Sequence, residues 1–471
     1  MYNNLKPYEE YQLSKASYIQ HYPKHWNTIK LRFVFEERKE KNKGIKTKNI
    51  LSVMKNKGVI PYSEKGNVGN KHSENVERYN IVHEDDIVMN CMNVIIGSVG
   101  RSKYYGALSP VYYVLKNRDS KKYNVKYFEY MFKMNTLQRE LTKYGKGILA
   151  HRMRIPMEML KNLELLYPPK DEQDQIVKYL DSKLVKINKF IKAKKQLITV
   201  LKEQKQAVIN EAVTKGLNPN VKMKPSGIDW LGNIPEHWKI TSLKRLFSDV
   251  TYGISESATN EGTIPVLTMG DINDGEIKIP DFGGVMSVDD VLLLTKGDLL
   301  FNRTNSADLV GKVGIYREQT EKKVTFASYL VRLRVRQEYS SEYVNYLLNS
   351  SDFINYARSQ AYKSINQANL NPTRYGFLRL AYPSDLSEQL EIVSFIKKKT
   401  TLIDKSIESI EKEIDLITEF RTRLISDVVT GKVDVRGIVI KDVLEDEMEF
   451  DDVDEELEEI EEAFDAEECE V

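Results

Sequence analysis

An internal repeat constrains the fold of this chain more than any other feature of its sequence. The segment Gly232–Phe247, GNIPEHWKITSLKRLF, closely resembles the segment His21–Phe35, HYPKHWNTIKLRFVF. Further matches follow in the same order in both copies. The offset between matching residues is 212 at the His-Trp pair and has grown to 216 at the last match, YPPKDEQDQIV with YPSDLSEQLEIV. Because chance matches would not keep this order, the sequence predicts two copies of one structural unit.

Each copy predicts a globular part followed by one long helix. Short β-rich runs such as YYVLK and SYLVRLRVR alternate with Gly- and Asn-rich turns and a few helical pieces, which indicates a mixed α/β domain. The helices are predicted from about Glu172 to Thr214 and from about Glu388 to Thr430. Asp171 and Ser387 are the predicted N-caps, and Gly216 and Gly431 follow the helix ends. The helix ends therefore carry the signals that start and stop a helix.

The two predicted helices share one apolar register. Within each helix, apolar residues recur at steps of three and four, which is typical of a coiled-coil seam. Adding 216 to the seam positions of the first helix gives the seam positions of the second. Lys205 and Arg421 occupy one equivalent seam position, where they either fix the register or extend to solvent. The helices are predicted to form an antiparallel coiled coil with a pseudo-two-fold axis and one globular domain at each end. The selected seam residues are Ile187, Ile191, Ile198, Leu201, Ile403, Ile407, Ile414 and Ile417.

These patterns predict the fold class α/β (mixed), with two similar globular domains separated by two long helices. The predicted segments are an N-terminal segment 1–20, a globular domain 21–171, a spacer helix 172–218, a linker 219–232, a second globular domain 233–387, a second spacer helix 388–432 and an acidic tail 433–471. The tail has too few apolar residues for a core and is predicted to be disordered.

Charge is distributed unevenly along the chain. Residues 442–471 contain 18 Asp and Glu and no Lys or Arg, which leaves 70 basic against 51 acidic side chains in residues 1–441. A basic body favours a polyanionic partner such as nucleic acid, although a solvated basic surface has the same composition. No apolar run is long enough for a membrane span, and the N-terminus does not resemble a secretory signal. Two distant cysteines, Cys91 and Cys469, favour a reducing, cytoplasmic location.

The motifs of common catalytic sites are missing from the sequence. It contains no phosphate-binding G-x-x-x-x-G-K-[ST] loop, no G-x-G-x-x-G after a strand and neither of the Asn/Asp-Pro-Pro-aromatic motifs of adenine methylation. His21 and His25 flank Pro23, so they do not form a zinc-binding helix, and no metal site is predicted. We therefore expect no catalytic residue in this chain and interpret both His-Trp pairs as structural anchors with a buried Trp.

The segments GIDWLGNIPEHWKITSLKRLF, KGDLLFNRTNSADLVGKVGIYREQ and YPPKDEQDQIV resemble the specificity (S) subunit of type I restriction–modification enzymes. The resemblance extends from about Tyr22 to Arg436; the acidic tail departs from the family pattern. It implies two target-recognition domains, each of which reads one half of a split double-stranded DNA site. It also implies that the coiled coil sets the spacing and docks two modification (M) subunits.

The same resemblance implies that this chain binds no cofactor. S-adenosylmethionine would belong to the M subunits, and ATP and Mg to the restriction (R) subunits of the full complex. An alternative class remains open from the residues alone, namely a non-catalytic coiled-coil adaptor with only non-specific DNA affinity. The differing loop sequences of the two copies favour recognition of two different targets over the adaptor.

Four turn-like stretches concentrate the residue types that contact phosphates and base edges. They are 39–49 and 142–154 in the first copy and 302–312 and 362–374 in the second. The second and fourth precede the two Tyr-Pro pairs at equivalent places. The candidate DNA-contacting residues are Lys46, Lys48, Lys143, Lys146, His151, Arg152, Arg154, Arg303, Asn305, Lys312, Lys363, Asn366, Gln367, Asn369 and Arg374.

The tail generates a first prediction. A tethered segment reaches a local concentration of about millimolar order, so 18 acidic groups can compete with DNA phosphates for the basic body. We expect a chain ending at Lys441 to bind random duplex DNA more tightly than the intact chain at low salt, with an advantage that shrinks as salt rises. Titration of both proteins against one random duplex at several salt concentrations measures this. Equal affinities at low salt would contradict competition and leave docking of the tail on a partner subunit, or a contribution to solubility alone, as its role.

Overall fold

The computed structural model describes residues 6–54, 57–65, 72–73, 75–91, 97–145, 154–318, 320–364 and 367–440. The chain divides into two compact units, of which unit 1 comprises residues 1–196 and 411–471 and unit 2 comprises residues 197–410. We call residues 6–169 of unit 1 head 1 and residues 216–385 of unit 2 head 2. Among the helices described, none has the length and apolar character needed to cross a membrane.

Head 1 is built around a four-stranded antiparallel sheet of order β4-β11-β8-β9, with two-stranded pairs β1-β2, β3-β12, β5-β6 and β7-β10 around it. Its strands are β1 (Tyr11–Leu13), β2 (His21–Pro23), β3 (Asn27–Lys30), β4 (Phe35–Glu37), β5 (Leu51–Met54), β6 (Gly58–Pro61), β7 (Asn80–Val82), β8 (Ile87–Asn90), β9 (Val99–Arg101), β10 (Gly106–Leu108), β11 (Tyr112–Asn117) and β12 (Glu164–Tyr167). Its helices are α1 (Leu31–Val34), α2 (Val125–Phe132), α3 (Asn135–Leu141) and α4 (Met157–Leu160), and the first long helix, α5 (Lys170–Lys215), follows.

Head 2 repeats this plan around a six-stranded sheet of order β16-β25-β21-β23-β19-β18. Two three-stranded sheets, β20-β17-β24 and β22-β27-β26, and the pairs β13-β14 and β15-β28 complete it. Its strands are β13 (Met223–Pro225), β14 (Asn233–Pro235), β15 (Lys239–Ser242), β16 (Phe247–Tyr252), β17 (Ile264–Leu267), β18 (Ile272–Asn273), β19 (Glu276–Ile277), β20 (Gly284–Val285), β21 (Leu299–Asn302), β22 (Thr304–Asn305), β23 (Val313–Ile315), β24 (Thr325–Phe326), β25 (Leu330–Val335), β26 (Tyr362–Ser364), β27 (Gln367–Asn369) and β28 (Arg379–Tyr382). Its helices are α6 (Ser341–Leu348), α7 (Ser351–Ser359) and α8 (Pro372–Gly376), and the second long helix, α9 (Leu386–Val429), follows.

Both long helices start two residues earlier than predicted, so the two predicted N-caps were wrong. Asp171 lies inside the first turn of α5, where a negative charge still interacts favourably with the helix dipole. In α9 the Ser387 N–H donates to Asp385 Oδ1 at 2.9 Å, so Asp385 caps the helix instead of Ser387. This backbone hydrogen bond stabilises the carboxylate and lowers the pKa of Asp385.

Within each unit, one half of α5 runs antiparallel to one half of α9, which confirms the predicted coiled-coil pairing. In unit 1, Lys194 Nζ lies 2.7 Å from Glu413 Oε2, and Arg421 donates to Asn188 Oδ1 at 3.3 Å. Residue numbers therefore rise along α5 as they fall along α9. In unit 2, Lys205 Nζ lies 2.7 Å from Asp404 Oδ1. Lys205 and Arg421 thus both bond across the seam.

The selected seam residues differ in burial. In unit 1, Ile187 and Ile191 are buried in the core of head 1, and Ile414 and Ile417 pack against the same cluster. Towards the middle of the helices, the seam is only half-buried, because no head covers it. These half-buried residues are Ile198, Leu201, Ile403 and Ile407.

The repeated Pro-x-His-Trp motif, residues 23–26 and 235–238, attaches each head to the first turn of a long helix. Trp26 is fully buried, and its Nε1 donates to the Glu172 carboxylate, which also lies 2.8 Å from His25 Nε2. Head 2 repeats the contact, with Glu388 accepting from Trp238 Nε1 at 2.9 Å and lying 2.9 Å from His237 Nε2. The motif is therefore a structural anchor, as expected.

A second repeated contact joins each head to the end of the other helix. In unit 1 the buried Tyr127 hydroxyl donates to the Val429 carbonyl of α9 at 3.2 Å. In unit 2 the buried Tyr343 hydroxyl donates to the Val213 carbonyl of α5 at 3.1 Å. Each hydroxyl satisfies a carbonyl in the last turn of a helix, where intrahelical donors are missing. Each head is thus bonded to the start of one helix and the end of the other.

The end of α9 generates a stability prediction. Gly431 has φ +72°, and a Cβ there would lie 2.5 Å from the Pro23 ring, so we expect Gly431→Ala to cost about 1–3 kcal/mol. Gly437→Ala is the matched control, since a Cβ at Gly437 meets nothing within 4 Å. Urea denaturation of the intact chain and both variants measures the change. Equal midpoints for the two variants would contradict the proposed crowding at Gly431.

Candidate nucleic-acid interface

A three-stranded sheet in head 2 brings together two of the four stretches selected from the sequence. Strand β22 pairs antiparallel with β27, so that Thr304 lies opposite Asn369, and β27 pairs in turn with β26. Asn369 Nδ2 also donates to Thr304 Oγ1 at 2.9 Å. The stretches 302–312 and 362–374 are distant in sequence but therefore form one continuous surface.

The candidates on this surface differ in exposure. Gln367 is exposed at the start of β27. Arg374 is exposed on α8, where the Asn371 side chain caps the helix by accepting from the Thr373 and Arg374 N–H groups. The half-buried candidates are Arg303, Asn305, Lys312 and Asn369. The surface thus combines half-buried polar side chains with fully accessible ones.

A buried ion pair supports the strand that leads into this surface. The Asp298 carboxylate, next to β21, is buried and accepts from Arg334 Nε and Nη2 at 2.7 Å each. This hydrogen bonding raises the pKa of Arg334. In head 1 the equivalent Asp86 carboxylate also accepts two hydrogen bonds from one guanidinium, from Arg38 Nε at 2.6 Å and from Arg38 Nη2 at 3.0 Å. The repeated Asp of DIVMN and DLLFN is therefore a structural residue that holds a neighbouring strand.

The candidates in head 1 are more dispersed. Lys46 Nζ lies 2.7 Å from Glu40, and hydrogen bonds from Lys46 and His83 lower the pKa of that Glu40 carboxyl. Lys143 Nζ lies 2.7 Å from Glu140, so both lysines already have acidic partners. Lys48 and Arg154 are exposed. Lys146, His151, Arg152 and Asn366 lie outside the described residues, as does the side chain of Lys363.

Two tyrosines at the head 2 surface, Tyr252 and Tyr329, were missed by the sequence analysis, whereas a third, Tyr362, begins a selected stretch. The Arg303 guanidinium carbon lies 5.3 Å from the centroid of the Tyr252 ring, and the Arg303 N–H donates to the Tyr329 carbonyl at 3.3 Å. Tyr362, on β26, has 75% of its side chain exposed. Tyr252 and Tyr329 belong to strand ends outside the selected stretches, so no local composition signal could have found them.

Across the part of the chain that the structure describes, no three His, Cys, Asp or Glu side chains come together as possible metal ligands. The arrangement instead offers amide, guanidinium and aromatic groups on a sheet. These groups form hydrogen bonds and stacking contacts with nucleic acids.

Comparison with known proteins relates the chain to one family. The family model of the type I restriction modification DNA specificity domain matches residues 23–200. A chain named as the specificity subunit of the type I restriction enzyme MjaX of Methanocaldococcus jannaschii is 26% identical over 208 residues, which are 43% of this chain and 48% of the relative. The specificity subunit of the type I restriction enzyme StySPI of Salmonella potsdam is 24% identical over 318 residues, 66% of this chain and 63% of the relative. The matches therefore span about half to two thirds of these relatives.

The fold has a solved counterpart. A chain of the structure described as "Structural basis underlying complex assembly and conformational transition of the type I R-M system" superimposes with a TM-score of 0.63 at 11% identity, covering 87% of this chain and 99% of that one. At this identity the likeness establishes the fold alone. The sequence matches relate the chain to specificity subunits of type I restriction enzymes, and the structural likeness gives it the fold of a chain from a type I R-M system.

Proposed function

We propose that this chain is the DNA-recognition subunit of a type I restriction–modification complex. Each head would read one half of a bipartite double-stranded site, and the paired helices would set the distance between the halves. The observation that carries this proposal is the duplication of a head that is bonded to both long helices, on a body with 70 basic and 51 acidic side chains. Bipartite recognition needs two readers on a stiff spacer.

The chemistry would lie on other subunits. The amide, guanidinium and aromatic groups of the head 2 surface suit base and phosphate contacts rather than bond making. We therefore propose that the chain is non-catalytic, with S-adenosylmethionine on the M subunits and ATP and Mg on R subunits. Its own contribution would be affinity and sequence preference.

Each unit exposes large apolar side chains on its own part of the long helices. In unit 1 these are Phe190 of α5 and Leu416 of α9, the latter 67% exposed. In unit 2 they are Leu197 and Val200 of α5, which lie three residues apart on one side of the helix, and Leu402 of α9, which is 58% exposed. Large apolar side chains exposed along a helix favour the docking of an amphipathic helix from a partner. We propose that two M subunits dock there.

Selection from randomised duplexes, with chain and M subunit purified together, tests the proposed function. We expect enrichment of a split motif with a constant gap, because each head contributes its own base contacts. Replacing residues 362–374 by the matching stretch of a relative should change one half-site and leave the other half-site and the gap intact. Flat enrichment would instead support the alternative, a coiled-coil adaptor that binds DNA only non-specifically.

A substitution on the outer helix side tests the docking surface. We expect Leu402→Glu to weaken M-subunit binding at least about fivefold, because a charge without a partner in an apolar interface costs more than about 1 kcal/mol. Thr401→Glu is the matched control, since it adds the same charge to a neighbouring exposed position on another side of α9. Binding is measured by calorimetry with purified subunits. Equal affinities for the two variants would contradict docking at Leu402.

A further inference from the structure

Arg303 differs from the other arginines that the structure describes by being half-buried without an acceptor. Its Nε is buried and forms no hydrogen bond, and no oxygen within the described residues accepts from its guanidinium. Every other described arginine that is buried or half-buried donates to a carboxylate, amide or carbonyl oxygen. These arginines are Arg38, Arg101, Arg317, Arg332, Arg334, Arg358 and Arg421.

The comparison with Arg332 shows how the same head satisfies a structural arginine. Arg332 is 1% exposed, and its terminal nitrogens donate to the Val291 and Leu293 carbonyls, at 2.7 and 3.1 Å, and to Asp249 at 2.6 Å. Its Nε is buried without a partner, as in Arg303, so the two residues differ in their terminal nitrogens. Arg303 lies in the same head but receives none of these partners. The terminal nitrogens of Arg303 have no acceptor among the described residues, so a ligand that supplies acceptors would add hydrogen bonds that the head itself does not provide.

Both the backbone and the side chain of Arg303 are held in place. Its N–H donates to the Tyr329 carbonyl at 3.3 Å, and its carbonyl accepts from the Leu370 N–H at 2.8 Å. Its guanidinium carbon lies 5.3 Å from the Tyr252 ring centroid, within the range of a cation–π contact. With Nε buried, the two terminal nitrogens remain available as a pair of parallel donors. We call these two terminal nitrogens the fork of Arg303. Because the fork is already held in place, the side chain loses little conformational entropy when it binds a ligand.

We propose that Arg303 reads a guanine in the half-site bound by head 2, with Tyr252 as the positioning residue for its guanidinium. The paired O6 and N7 acceptors of guanine in the major groove match the two terminal donors of an arginine. Exposed Gln367 and half-buried Asn305, on the adjoining strands, add amide groups suited to neighbouring base edges. This inference rests on the proposed function, since it assigns one contact within the recognition that the heads would perform.

Substitution of Arg303, followed by selection from randomised duplexes with the M subunit present, tests the assignment. Arg303→Lys keeps the charge but removes the fork, so we expect one guanine position of one half-site to lose about 5- to 150-fold of its preference over other bases. The remaining positions, the other half-site and the gap should be unchanged. Arg336→Ala is the control, because Arg336 is exposed beyond the opposite end of β25.

Two further variants test the role of Tyr252. Tyr252→Phe keeps the aromatic ring and should leave the preference intact, whereas Tyr252→Ala should relax the same position as Arg303→Lys and no other. A merely structural role would instead lower affinity for all sequences together. Circular dichroism and thermal unfolding of each variant exclude loss of the fold as the cause.

Three outcomes would overturn the inference while leaving the proposed function standing. An unchanged split motif in Arg303→Lys would show that no base is read by the fork. Uniform weakening on all duplexes would make Arg303 a phosphate contact. Relaxation at an adenine or pyrimidine position would exclude guanine as the ligand. By contrast, absence of any split motif in the unmodified protein would overturn the proposed function itself.

Discussion

A carboxylate in the first turn of each long helix joins the helix to its head. Glu172 and Glu388 each receive an indole N–H and lie within 3 Å of a histidine nitrogen. Both indoles are buried, so without the carboxylate their N–H groups would have no acceptor and would cost folding free energy. Because Tyr127 and Tyr343 fasten the same heads to the ends of the opposite helices, each head is held at two points. The orientation of a head therefore depends on both helices.

This double attachment allows a change in a head surface to stay local. Base contacts discriminate only when the reading side chains are held in place, and side chains on supported strands are more precise than those on loops. In head 2 the supporting layer is the ion pair of Arg334, on β25, and Asp298, next to β21, and the proposed reading layer is the sheet of β22, β27 and β26. The scaffold can therefore stay constant while the reading layer varies.

Sequence reasoning found the features that are periodic or repeated. The helices, their antiparallel pairing and the duplicated heads followed from apolar spacing and from ordered matches, because coiled-coil packing and duplication both leave regular patterns. The N-caps were wrong because Asp385 and Ser387 are both good cap residues two positions apart. Glu172 was not recognised as the partner of Trp26 because their hydrogen bond joins residues 146 apart. For the same reason, composition found stretches 302–312 and 362–374 but missed Tyr252.

The contrast between satisfied and unsatisfied arginines separates the two layers of head 2. The terminal nitrogens of Arg334 and Arg332 donate to carboxylate and carbonyl oxygens, which keeps both charges in place within the supporting layer. Arg303 has the same chemistry, but an aromatic ring replaces the acceptors, so its position is fixed while its donors stay unused. A ring attracts the guanidinium without competing for its hydrogen bonds. The Tyr252 ring therefore holds the Arg303 guanidinium in place and leaves its terminal donors available for the guanine that we propose it reads.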